Sequence, residues 1–156
     1  MKKAVILILF LIIMSVKPVC AKTVDELLQE YKQEYSDWKQ EQIIQKKVDE
    51  LVSIYPDKNK ANQRIIARAF YLEFDEATAR TALEVARNES GFRSNATNIN
   101  TNNTYDKGCW QINDTHHVSD NIRLNCKKST EWAINKVKHN GGFGIWVAYH
   151  KYVENN

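Results

Sequence analysis

The 156-residue chain carries a formal charge of +3. Lys2, Lys3 and Lys17 supply all of that excess, and the rest balances 19 basic against 19 acidic residues. That neutrality removes the basic footprint expected of a nucleic-acid binder, and about 135 residues after the leader suit one domain with a proper core.

Lys2 and Lys3 precede an apolar run from Ala4 to Val16, and a short polar segment ends in "VCA" at Val19–Ala21. A basic start, an apolar centre and small residues near a cut site read as a signal peptide over 1–21. The run is short for a bilayer span. Acylation at Cys20, the lipoprotein alternative, suffers from Val19, where a small residue is expected. Cleavage after Ala21 would leave an exported, periplasmic or extracellular protein with no membrane segment.

Glycine is absent from 22–90, and all five glycines (Gly91, Gly108, Gly141, Gly142, Gly144) come later. Glycine is costly inside helices and useful in turns, so a helical first half and an irregular second half are expected. Val24, Leu28, Tyr31, Tyr35 and Trp38, then Ile44, Val48, Leu51 and Tyr55, alternate steps of three and four. Each set reads as an amphipathic helix. The jump from Trp38 to Ile44 breaks the phase and predicts a bend, or two helices, near residue 40. Residues 22–58 thus form a helical extension packed on the domain. A coiled-coil partner surface is the alternative, although neither set sustains three heptads. "PDKNK" at Pro56–Lys60 marks the boundary, with the main domain over 59–156.

A second helix is expected over about Ala61–Tyr71, with Ile65, Ile66, Ala69 and Phe70 inward. Asp75 caps a third that runs to Glu89. Its inward stripe is Ala79, Ala82, Leu83 and Ala86, and Glu89 continues it before Ser90-Gly91 stops the helix. Asn95–Thr104 reads as a polar loop or hairpin, and "NTYDKGCWQIN" as a small β-hairpin. Helices over about Thr130–His139, stopped at Asn140-Gly141, and Ile145–Val153 complete the chain. In the second, Ile145, Trp146, Tyr149 and Tyr152 are available to pack.

Cys109 and Cys126 are the only cysteines beyond the leader. In an exported protein such a pair is most simply a disulfide. The rival, a metal site with His116 and His117, has the order Cys-x6-His-His-x8-Cys, which matches no usual zinc spacing. His116-His117 otherwise read as loop residues, and no His-Glu-x-x-His motif occurs.

A carboxyl on an apolar helix face admits two readings. Glu89 is either a wet helix-end residue paired with Arg87 or Arg93, or a carboxyl whose surroundings raise its pKa. In the second case it can protonate a leaving oxygen, as glycosidase acids do.

"ARNESGFRSNATNINTNNTYDKGCWQIN" and the later "GGFGIWVAYHKY" resemble the lysozyme-like superfamily, most closely bacterial lytic transglycosylases of the soluble and secretion-associated types. Three elements carry the resemblance in order: an alanine-rich helix ending Glu-Ser-Gly-Phe, a Gly-x-x-Gln-Ile-Asn segment, and a helix with Ala148-Tyr149. It runs from about Lys60 to Tyr152 and implies a mainly α-helical α+β, lysozyme-like domain. It further implies that Glu89 is the catalytic acid and then base, that Ser90 orients it, and that Gln111 and Asn113 line the saccharide cleft. Tyr149 would reach back toward Glu89. The family substrate is peptidoglycan, cut between N-acetylmuramic acid and N-acetylglucosamine to leave a 1,6-anhydro end, with no cofactor and no metal.

Asp106, 17 residues after Glu89, lies where animal-type lysozymes carry a second carboxylate. A second carboxylate about 5 Å from the acid would permit retaining hydrolysis. It reads equally as a hairpin residue satisfying backbone N–H groups. Cys109-Trp110 replaces the usual aliphatic pair, and His150 stands where Asn is commoner. Trp110 reads as core, with sugar stacking the lesser reading. A non-catalytic wall-binding or assembly protein is the rival of a different class, since the 23–55 helix could engage a secretion or conjugation apparatus.

Overall fold

The computed structural model describes residues 22–153, so the leader reading falls outside them. Helix α1 (Val24–Val52) runs unbroken. Its start is a capping box in which Thr23 N donates to Glu26 Oε2 (2.7 Å) and Glu26 N to Thr23 Oγ1 (3.2 Å). The two separate helices that were one form of the expectation near residue 40 are not found. A phase change moves the apolar stripe around a helix but supplies no breaker, and no Gly or Pro lies between Val24 and Val52.

The chain divides into two compact units at Glu41/Gln42, earlier than the expected boundary after Lys58. In the second unit Ile44, Val48, Leu51 and Val52 are core residues. "PDKNK" forms a tight turn. Lys60 Nζ donates to the carbonyls of Val52 (2.8 Å) and Tyr55 (3.1 Å). Buried Gln63 donates to those of Pro56 (2.8 Å) and Lys58 (3.0 Å). Tyr55 donates its hydroxyl to Glu84 Oε1 at 2.6 Å and sets its ring edge-on to Phe92.

Helices α2 (Lys60–Glu73) and α3 (Glu76–Ser90) pack against each other. Ile66 and Phe70 face inward as expected, while Ile65 and Ala69 are only half-buried and Ala67 takes their place in the core. The α3 stripe Ala79, Ala82, Leu83 and Ala86 is fully buried, and Asp75 caps the helix by accepting from Thr78 N at 2.7 Å.

A three-stranded antiparallel sheet follows: β1 (Thr97–Ile99), β2 (Tyr105–Lys107) and β3 (Ile112–Asn113) in that order. It is larger than the single hairpin expected, because the Asn/Thr segment contributes β1. Asp106 lies mid-sheet, opposite Asn98 on one side and Asn113 on the other. Short α4 (Asp120–Arg123) clamps the sheet. Arg123 pairs with Asp120 (2.6 Å) and donates to the carbonyls of Tyr105 and Ile112 (3.4 Å each), while Lys107 also meets Asp120 (2.7 Å).

Helix α5 (Cys126–Asn140) begins earlier than Thr130, because Asn125 caps it by accepting from Lys128 N. It packs on α2 and ends at left-handed Gly141. The Cys109–Cys126 disulfide, with Cα atoms 5.7 Å apart, joins its first residue to the β2–β3 turn. Trp110 in that turn is wholly buried, which makes it core and leaves sugar stacking aside. It donates Nε1–H to Thr130 Oγ1 (3.0 Å), and its carbonyl accepts from Trp146 Nε1 (3.0 Å). The last helix, α6 (Val147–Tyr152), is shorter than expected; Trp146 is buried, but Ile145 and Tyr152 are exposed. The architecture is α+β and mainly α-helical.

Candidate active site

The end of α3 is built to reverse the chain sharply. Gly91 (φ 62°) and Phe92 (φ 64°) are both left-handed, and the second is costly for a bulky residue. Burial of the Phe92 ring offsets that cost. Asn59 and Asn62 donate to the freed carbonyls of Gly91 and Phe92 at 2.9 and 2.8 Å. Glu89, two residues before the reversal, is left half-buried on the wall of a cavity of about 230 Å³. Its Oε1 accepts the backbone N–H of Ala148 at 3.2 Å. Burial pushes the Glu89 pKa up; the Ala148 N–H works against that, and the charge of Asp106 adds to the rise. Neither Arg87 nor Arg93 pairs with it: Arg87 meets Glu84, and Arg93 Nε donates to the Ser90 carbonyl at 2.7 Å.

Asp106 lines the same cavity. Its oxygens accept side-chain amides, Asn113 Nδ2 at 2.6 Å and Asn100 Nδ2 at 2.9 Å, in place of the backbone N–H groups of the hairpin reading. Thr104 Oγ1 accepts from the same two amides (2.9 and 3.1 Å), so the polar loop is a scaffold around one carboxylate. Two half-buried carboxyls thus share one cavity, Glu89 held by a single backbone N–H and Asp106 by two side-chain amides.

Gln111 and Asn113 also line the cavity. Gln111 is buried with φ 44°; it accepts from Asn98 Nδ2 (2.7 Å) and donates to Gly108 O (2.9 Å). Asn113 accepts from Thr115 N at 2.9 Å while holding Asp106. Ser90 and Tyr149 do not line it. Ser90 Oγ is buried and donates to Cys109 O at 2.8 Å, so it ties the helix end to the sheet and not to the Glu89 carboxyl. The Tyr149 ring packs against Phe143 (5.9 Å) and borders a separate groove with Phe74 and Val137. One residue earlier, the Ala148 backbone makes the contact expected of that side chain.

The cavity also contains residues that the motifs did not mark: His116, Trp132, Ile145, Trp146 and Val147. His116 ends a 3-10 turn (Asp114–His116) and packs on Trp132 at 5.3 Å. Burial and the Lys136 charge push its pKa down, and the charge of Asp106 works against that. Lys136 Nζ lies 5.3 Å from the Trp132 ring centroid. Nothing in the spacing of Trp110, Trp132 and Trp146 separates core rings from wall rings.

Among the described residues, no group of three or more His, Cys, Asp or Glu is placed to hold a metal ion. No helix among them is long and apolar enough to cross a membrane.

No family model matches the chain, and no curated protein matches it. Among solved structures, it is similar to a lysozyme from Litopenaeus vannamei, with 18% identity over 58% of this chain and 85% of that one, at a TM-score of 0.47.

Proposed function

We propose that the chain is an exported, lysozyme-like glycosidase that cuts peptidoglycan strands between N-acetylmuramic acid and N-acetylglucosamine, with Glu89 as general acid. The observation that carries this reading is the half-buried Glu89 carboxyl on a polar cavity wall, its pKa raised by burial. A carboxyl that keeps its proton toward neutral pH can deliver it to the glycosidic oxygen as the bond to the anomeric carbon breaks. Asp106, held by two amides on the same cavity, supplies negative charge toward the cation-like centre that develops. Gln111 is pre-set by its bonds to Asn98 and Gly108, which suits positioning of sugar hydroxyls and acetamides.

The sequence motifs favour lytic transglycosylase chemistry for the second half of the reaction. The Glu89 carboxylate then takes the proton from the muramyl 6-hydroxyl as that oxygen bonds to the anomeric carbon. A 1,6-anhydro end results, and no water is consumed. One observation favours a second reading, retaining hydrolysis: Asp106 shares the cavity and bears on the Glu89 proton. Digestion of purified peptidoglycan, with the soluble products weighed by mass spectrometry, separates the two. Anhydro-muramyl ends support the transglycosylase; reducing muramyl ends alone assign the hydrolase; no glycan cleavage removes both.

A further inference from the structure

The first unit carries an apolar face that the cavity chemistry does not use. Val24, Leu28, Tyr31, Tyr35 and Trp38 lie at alternating steps of four and three along α1, and each is between 47% and 80% exposed. The rings form a continuous file, with centroids 6.5 Å apart for Tyr31–Tyr35 and 5.9 Å for Tyr35–Trp38. In proteins most helical stability comes from packing an amphipathic face.

From Lys32 onward the charges beside that stripe are sorted by side, while Asp25 shares the lysine flank. Lys32, Lys39 and Lys46 recur at seven-residue intervals on one flank, and Glu34 and Glu41 on the other. In heptad terms Leu28 and Tyr35 take the a positions, and Val24, Tyr31 and Trp38 the d positions. The lysines fall at e and the glutamates at g. In a parallel pair, each g residue meets the e residue five positions further along the other strand. Glu34 then meets Lys39 of the second copy, once on each side of the pair. An antiparallel pair would set lysine against lysine and glutamate against glutamate.

We propose that this face binds a second copy of the same chain as a short, parallel, in-register coiled coil over Val24–Gln42. The charge sorting selects the occupant, because one sequence supplies both halves of each ion pair. Gln42, at the next a position, marks where the apolar stripe ends. The pairing owes nothing to the glycan chemistry.

Sedimentation of the exported, processed protein over a range of concentrations tests it. The expected result is a reversible monomer–dimer equilibrium that Lys39→Glu weakens roughly tenfold, from two attractions turned to repulsions. Mixing Lys39→Glu with Glu34→Lys chains should restore association as a heterodimer. Leu28→Cys should cross-link to its own counterpart on oxidation. Circular dichroism of each variant confirms that the fold is intact. A monomer at every concentration, or a Lys39→Glu variant that associates as well as or better than the parent, overturns the proposal.

Discussion

The backbone N–H of Ala148 donates to Oε1 of Glu89 at 3.2 Å, joining the start of α6 to the end of α3 across 59 residues. This bond holds the carboxyl in place and opposes the rise in its pKa, while burial and the charge of Asp106 push it up. A general acid must carry its proton, so the rate should fall as pH rises through the Glu89 pKa. Asp106→Asn removes one cause of the rise and should move that alkaline limb to lower pH, as pH–rate profiles on soluble glycan fragments will show. An unmoved limb would mean that the two carboxyls do not communicate.

The same group links pH to stability. Folding raises the Glu89 pKa, so the folded chain binds that proton more tightly than the unfolded one. The resulting stabilisation is fully present below the unfolded carboxyl value and is lost as pH rises through the folded value. Glu89→Gln should therefore be more stable than the parent at neutral pH, with the gap closing in acid. Thermal melts at several pH values measure this. A variant less stable at neutral pH would contradict the assigned environment.

The Cys109–Cys126 bond closes a span of 17 residues and pins the turn that carries Gln111 to α5. Its loss, in a Cys109→Ala/Cys126→Ala variant, should cost about 3 kcal/mol. Denaturant titration reads that cost directly, and reductant should destabilise the parent but not the variant.

Gly108 opens the same turn at φ 80°, and a Cβ there would lie 1.8 Å from the Arg123 carbonyl oxygen. Side-chain rotation cannot relieve contact with a backbone atom. Gly108→Ala should destabilise by about 3 kcal/mol or more and displace the clamp of Arg123 on the sheet. Denaturant titration checks the first effect, and a melting point close to the parent's would refute the close approach.

What the sequence revealed of the site depended on periodicity and local motif. Glu89 stood out because it continued the stripe of Ala79, Ala82, Leu83 and Ala86, and that face is buried. Gln111 and Asn113 followed from the resemblance carried by Gly-x-x-Gln-Ile-Asn, and both line the cavity. The resemblance to the lysozyme-like superfamily implied that Ser90 and Tyr149 act on the carboxyl. In the fold Ser90 binds the Cys109 carbonyl, while a backbone N–H makes the contact given to Tyr149. Backbone donors leave no mark in a residue pattern. His116 and Trp132 reach the cavity from separate elements and meet only through tertiary packing, so no spacing rule links them. The phase jump after Trp38 divides an exposed stripe in one unit from a buried one in the other.

Release of soluble muropeptides from purified peptidoglycan by the parent and by Glu89→Gln tests the central claim most directly. The Gln side chain keeps the shape but has no acidic proton to give, so turnover should fall by about a hundredfold to ten-thousandfold while the folded spectrum and glycan binding persist. Release by the folded variant at the parent's rate would contradict Glu89 as the general acid.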